Sequence, residues 1–295
     1  MPNKSMSKSI AVLGGPNTGK SHFAIQLFGR LRTKKGAISL RQAPESTSLF
    51  QAGLERLNQG IAAIHTSTDT YLECMLPLSC GGRDIDITWP DYDGEQLHRL
   101  VTKRQINQEW QDRVSSADAW LLFVRLGIMP QHKDILSAPI DTDIPAADDV
   151  ETTELNAEAV IDELTGQAKV IELLQILLNA ANIDISSPTL KPKIGVVLSC
   201  WDEVCDKPNV VPESLLGDKA PLIYQFLESN WVNESQFVMG LSSTGKPLDQ
   251  NKPDEDFKKR GPEEFGFSID TDGSQVDDLT LPISKLLELT ETHES

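Results

Sequence analysis

The sequence predicts an α/β fold: a mostly parallel sheet with one antiparallel hairpin and helices on both faces. Three observations predict it. The apolar runs "SIAVL" (9–13), "AWLLFVRL" (119–126), "KIGVVLSC" (193–200) and "QFVMGLS" (236–242) are near-continuous, as strands buried on both faces of a parallel sheet are. Segments with apolar residues at helical spacing fall between them, and strand–helix alternation of this kind builds parallel crossover units. One stretch alternates instead, from "TYLECMLPLSC" to "RDIDITW" through a turn at Gly81-Gly82, which is a hairpin.

Taken in order, the first strand is 9–13, and a helix runs from Lys20 to Arg32, burying Phe23, Ile25, Leu27, Phe28 and Leu31. "GAISLRQ" reads as a short strand and "PESTSLFQAGLERLNQ" as a helix, with a Pro-Glu-Ser start and Leu49, Phe50, Leu54 and Leu57 on one face. Together they form an insert over 36–62. The hairpin sets Leu72, Cys74, Leu76 and Leu78 on one face of its first strand and turns Ile85, Ile87 and Trp89 inward on its second. A helix is expected from Glu95 to Val114. A second insert, 130–185, opens with a flexible loop and continues as a long helix over 154–181, through Leu164, Val170, Leu173, Leu174, Leu177 and Leu178. The strand 236–242 is expected to be the last; 245–278 is polar and rich in Asp, Gly and Pro, and reads as an extended surface loop. "LPISKLLELT" closes with a helix, and the whole chain, 1–295, reads as a single domain without internal repeats.

Composition narrows the function. The 295 residues are 39% apolar, enough for a real core, and no apolar run approaches the roughly 18 residues that span a bilayer. The start "MPNKSMSKSI" lacks the apolar stretch of a signal peptide, so a cytoplasmic protein away from membranes is expected. A net charge of −17 repels phosphate backbones and argues against a nucleic-acid binder. The charge is uneven: ten acidic and no basic residues lie between Asp134 and Glu163, whereas the first 41 residues are basic. The acidic stretch is either a solvated face or a contact for a basic partner. The four cysteines form no CxxC pair, which fits reduced, mostly buried thiols and not a zinc site.

The chemistry begins at "GGPNTGKS". Gly14, four residues (Gly15, Pro16, Asn17, Thr18), then Gly19-Lys20-Ser21 fit G-x-x-x-x-G-K-[ST], with a strand before and the helix from Lys20 after, and the nucleotide-binding stretch is read through His22. Glycines let the backbone turn its N–H groups onto phosphate oxygens, and the helix adds its N-terminal dipole. Lys20 would neutralise the β- and γ-phosphates, and Ser21 would ligate magnesium. Past the hairpin, "DYDG" supplies D-x-x-G: Asp91 to hold a magnesium-bound water, Gly94 to meet the γ-phosphate through its N–H. Before the hairpin, "HTSTDT" offers a threonine for magnesium and the γ-phosphate; Thr66 is favoured, then Thr68, with Thr70 also open.

With these stations in order, the chain resembles the translation-factor-like (TRAFAC) class of P-loop GTPases over about 1–246, which implies a small-GTPase-like three-layer sandwich, GTP or GDP and Mg2+ as ligands, and a molecular switch. The resemblance implies a base motif, N/T-K-x-D, after a later strand. Ser199, Cys200, Trp201 and Asp202 occupy its places. Asp202 matches and would accept from guanine N1–H and N2–H, unless it is a helix N-cap; Cys200 replaces the lysine that packs along the base. The class also has a small polar loop after its last strand, matched loosely by Ser243 and Thr244. With "WPDYDGE", "GLSSTGKP" and the extra strand and helix, the chain is similar to double-GTPase-like proteins of bacterial conflict systems. That likeness implies a second GTPase or effector as partner in a defence setting. Some relatives in the class dimerise across their nucleotide, which stays open here.

For hydrolysis, small regulatory members of the class place a glutamine after the D-x-x-G glycine. Glu95 stands there, either orienting water or stabilising the helix dipole, and intrinsic turnover should be slow. Asn17 in "GxPNxGKS" is similar to the loop of potassium-stimulated GTPases, where it helps bind K+; otherwise it only tolerates the loop's backbone angles. Arg99, Arg104 and Arg125 could add charge but read as surface residues. A binding module with little hydrolysis, and an ATPase on the same phosphate loop, are the competing readings.

Overall fold

The computed structural model describes residues 8–33, 36–44, 47–63, 72–91, 100–101, 103–104, 106–129 and 166–291. Among these, nine strands make one sheet: β1 (Lys8–Gly14), β2 (Ile38–Leu40), β3 (Leu72–Cys80), β4 (Arg83–Asp91), β5 (Ala119–Val124), β6 (Lys193–Ser199), β7 (Gln236–Ser242), β8 (Phe267–Ile269) and β9 (Gln275–Val276). Their order is β2-β3-β4-β1-β5-β6-β7-β8-β9. The five central strands, β4 to β7, are parallel; β3 and β2 extend one edge antiparallel, and β8 and β9 the other.

Helices cover both faces because successive residues of the central strands point to opposite sides. Ile10 and Val12 of β1, with Leu121 and Phe123 of β5, pack against α1 (Lys20–Thr33), α2 (Ser48–Asn58) and α9 (Leu281–Glu291). Ala11 and Leu13, with Trp120, Leu122 and Val124, face α3 (Gln108–Ser116), α4 (Gly166–Ala180), α6 (Pro212–Lys219) and α7 (Pro221–Asn230). The short α5 (Trp201–Val204) follows β6, and α8 (Glu255–Arg260) follows β7. The result is a three-layer α/β sandwich. Among the described residues no helix is long and apolar enough to cross a membrane.

The strand and helix read within 36–62 are present as β2 and α2. The strand pairs with β3 through Leu40 and Leu78, and the helix stacks Phe50 on Phe28 with ring centres 4.9 Å apart. The described part of the long helix read over 154–181 is 166–180; its first half lies outside the described residues.

Three expectations need correction. The helix read continuously from Glu95 to Val114 is interrupted. Arg104 takes a left-handed φ of 47°, and Asn107 caps a new helix by accepting from Trp110 N–H at 2.9 Å; residues 92–99 lie outside the described residues. The segment 245–278 is not an extended surface loop, and β7 is not the last strand. Asp254 caps α8 by accepting from Phe257 N–H at 2.9 Å, Phe257 stacks on Phe265 at 4.3 Å, and β8 adds to β7 with Gly240 opposite Ile269. A few apolar residues, spaced too widely to show a period, carry that segment into the core.

α1 holds this addition in place. Arg30, fully buried, donates to the carbonyls of Phe265 and Gly266 at 2.9 Å each, to that of Asp277 at 3.2 Å, and to the Asp277 carboxylate at 2.9 Å. A charged donor shared among backbone carbonyls stabilises strongly, because truncating it leaves several buried acceptors without partners. Arg30→Met should therefore lower unfolding free energy by about 3 kcal/mol in urea titrations. A loss below about 0.5 kcal/mol would mean that β8 and β9 hold themselves.

Candidate functional site

The parallel register brings the motif residues to one edge of the sheet. Ala11 pairs with Thr88, so three residues on along each strand Asp91 stands level with Gly14. Gly14 is opposite Phe123, Phe123 opposite Val197, and Ser199 opposite Leu241. The carboxyl ends of β1, β4, β5, β6 and β7 thus share an edge, where open α/β sheets bind ligands.

The loop after β1 is shaped by what it excludes. Gly14 has φ +141°, and a Cβ there would stand 2.8 Å from the Phe123 carbonyl oxygen, so only glycine fits. Gly19 has φ +81° and Asn17 a left-handed 59°. Pro16 and Asn17 are exposed, while Thr18 is buried and donates to the Gly15 carbonyl at 2.9 Å. Lys20 folds back over the turn: Nζ donates to the carbonyls of Gly14 at 2.9 Å and Gly15 at 2.6 Å, and to Thr18 Oγ1 at 3.2 Å. α1 starts at Lys20, with Phe23 N–H on the Gly19 carbonyl at 3.0 Å, so Ser21 sits in its first turn. A glycine-shaped bend, a lysine over it and a 14-residue helix pointing its N-terminus there make an anion cradle. His22 Nε2 accepts from Ala63 N–H at 3.2 Å, tying α1 to the end of the α2 insert.

The Asp202 corner lies across the same edge. Asp202 is the second residue of α5 and not its cap; Cys200 holds the cap position, with no side-chain cap bond. The Asp202 carboxylate accepts instead from the Ser242 hydroxyl, which itself accepts from Gly245 N–H at 2.9 Å. The loop after β7 thereby reaches Asp202, through Ser242 and not through Ser243 or Thr244. The Ser243 carbonyl accepts from Gln26 Nε2 at 3.0 Å, and the Thr244 hydroxyl donates to the Lys246 carbonyl at 2.8 Å. Cys200 is left-handed, φ 52°, and lies beside Gly19, where a Cβ would meet its Sγ at 3.6 Å. Burial pushes its thiol up to about 11, against the pull of the Arg125 charge.

Arg125 belongs to the site. Its Nη1 donates to the Asn17 carbonyl at 3.0 Å, and Nε and Nη2 grip the Glu203 carboxylate at 2.9 and 2.7 Å. Those bonds raise the guanidinium above its ordinary value. Arg104 instead pairs with Glu172 at 2.8 Å, with most of its side chain exposed. Thr66, Thr68, Thr70, Gly94, Glu95 and Arg99 lie outside the described residues; Asp91 is placed by its backbone. Among the described residues no group of three or more His, Cys, Asp or Glu could hold a metal. Sequence reasoning missed Ser242 and Gln26 and misjudged Arg125. The available signals were a serine ending an apolar strand, and Gln26 and Arg30 one turn apart on an otherwise apolar helix face.

A family model described as Double-GTPase 1 matches residues 11–286. No curated protein matches the chain. Two solved structures are similar to it: nucleolar GTP-binding protein 1 from Plasmodium falciparum, at 12% identity and TM-score 0.41, covering 98% of this chain and 89% of that one; and the Arl6 BBS3 small GTPase from Trypanosoma brucei with bound GppNp, at 11% identity and TM-score 0.40, covering 97% and 98%.

The Cys200 environment makes a prediction. A thiol titrating at about 11 is almost wholly protonated at pH 8, so iodoacetamide should alkylate it slowly, and the rate should climb about tenfold per pH unit up to pH 10. Mass-mapped alkylation of the native chain reads this directly; a rate already at its plateau by pH 9 would contradict it.

Proposed function

This chain belongs to the Double-GTPase 1 family, and from that premise we propose that it is a magnesium-dependent GTP switch that hydrolyses GTP slowly and controls a partner protein. One observation carries the reading: the cradle at 14–21 and the Asp202–Ser242 pair lie on the same sheet edge, joined through Gly19 and Cys200. A phosphate reader and a base reader are thus fixed relative to each other.

The loop amides and the N-terminus of α1 hold the β- and γ-phosphates. Lys20, resting on loop carbonyls, turns its ammonium onto those oxygens when they arrive. The Ser21 hydroxyl and, through water, Asp91 would be the oxygen donors for Mg2+, which favours one or two protein oxygens plus phosphates over an all-protein cage. When bound, the ion supplies charge neutralisation of the phosphates. Thr66, with Thr68 or Thr70 as alternatives, and Gly94 would sense the γ-phosphate, Glu95 would orient water, and Asn17 would admit K+ beside the phosphates. Asp202 accepts from guanine N1–H and N2–H while Ser242 orients it. Ser243 and Thr244 shape the loop above the base. We read the partner as a second GTPase or effector of a bacterial conflict system, and the chain as one domain carrying inserts at 36–62 and 130–185. Glu95 favours a second reading, a nucleotide-dependent binding module, because its charge near the γ-phosphate would slow attack.

Calorimetry and single-turnover hydrolysis with GTP and ATP, in magnesium with potassium or sodium, test this. The chain should take up GTP in preference to ATP, and Lys20→Ala should weaken GTP binding about 100-fold, the size of a lost charge-assisted contact. Binding without turnover selects the binding module. Equal rates in sodium and potassium remove the K+ role of Asn17. No uptake of either triphosphate overturns the reading.

A further inference from the structure

A lysine that packs along the purine is the part of the base motif this chain lacks; Cys200 stands in its place, and a half-buried neutral thiol carries no cation. We propose that Arg125, just past the end of the neighbouring strand, supplies it by laying its guanidinium along the face of the purine. This rests on the GTP-binding reading above.

Register places the residue. Val124 pairs with Leu198, so Arg125, one step beyond, stands level with Ser199 and next to Cys200. From there it reaches two groups that define the nucleotide's ends. Nη1 donates to the Asn17 carbonyl, on the outer turn of the phosphate loop, at 3.0 Å. Nε and Nη2 take both oxygens of Glu203, the residue after Asp202, at 2.9 and 2.7 Å. The base-edge acceptor and the anchor of the guanidinium therefore share one turn of α5. Both partners are about three-quarters covered, at 26% and 28% side-chain exposure, so this is a fixed pair and not a fluctuating surface bridge.

The bidentate grip matters because it fixes the plane of the guanidinium. A planar, weakly hydrated cation held in plane can lie on an aromatic ring, which an ammonium does only as a point charge. An arginine just past the end of β5 can thus do what the motif's lysine does from the end of β6. Its contact is with the ring face and is indifferent to which purine is bound. Asp202 reads the edge and discriminates. The two roles separate experimentally.

The test compares GTP with inorganic tripolyphosphate, both competing against a fluorescent GTP analogue in magnesium. Arg125→Ala should weaken GTP and ATP alike, by about tenfold, and leave tripolyphosphate within twofold, so that the preference for nucleotide over bare phosphate chain falls about tenfold. Glu203→Gln, which keeps the guanidinium but loosens its grip, should lower that preference about threefold. Asp202→Asn should weaken GTP and leave ATP unchanged. If Arg125→Ala weakens GTP and tripolyphosphate by the same factor, Arg125 only shapes the phosphate loop and the proposal fails. An unchanged GTP affinity also overturns it. A wild-type chain that binds no GTP defeats the nucleotide reading first, and this one with it.

Discussion

The Gly14 backbone lies so close to the Phe123 carbonyl that no side chain fits between them. This one steric constraint sets the bend from which the rest of the site follows. It forces the chain leaving β1 to turn tightly and delivers Lys20 over the loop carbonyls as the first residue of α1. Any Cβ at Gly14 would push β1 from β5, and Arg125 directly follows β5. The glycine bend and the Asp202 corner therefore lean on the same central strands.

Helix α1 extends this coupling to the far edge of the sheet. Its polar residues Gln26 and Arg30, one turn apart, reach backbone carbonyls more than 200 residues later in the chain, at Ser243 and Pro262 and at Phe265 and Gly266. Buried amide and guanidinium groups cost desolvation unless they find partners; Gln26 Nε2 and the Arg30 terminal nitrogens find main-chain oxygens between the strands, while among the described residues Gln26 Oε1 and Arg30 Nε have none. The helix that starts at the glycine bend thus also fixes, through Gln26, the loop that follows Ser242.

Much of this was legible in the residues. The parallel strands announced themselves as apolar runs, because a sheet covered on both faces leaves no room for alternation. The phosphate loop was legible because its chemistry demands particular residues at fixed spacing. What was hidden depended on contacts between distant segments. The break before α3 rests on one asparagine cap and one left-handed arginine, neither of which disturbs the hydrophobic period around it. β8 and β9 are three and two residues long, too short for any period, and exist because β7 offers an edge and α1 offers Arg30. Ser242 and Arg125 each follow or end an apolar strand, so their roles emerge only when strands are laid side by side in register.

The Asp202 corner sets two carboxylates against one guanidinium. Asp202 and Glu203 are adjacent carboxylates on a single turn, in a chain with net charge −17. A thiolate at Cys200 would add a third negative charge beside them, and burial forbids it by keeping the thiol protonated. Glu203 is satisfied by Arg125 through two parallel bonds, whereas among the described residues Asp202 receives a neutral hydroxyl from Ser242. A carboxylate aided by a hydroxyl keeps acceptor capacity on its second oxygen; one locked in a bidentate salt bridge has little left. The corner thus divides two chemically similar acids, one spent on holding a cation in place and one left able to accept paired N–H donors. Guanine offers that pair of donors on its N1 and N2 edge, and adenine does not.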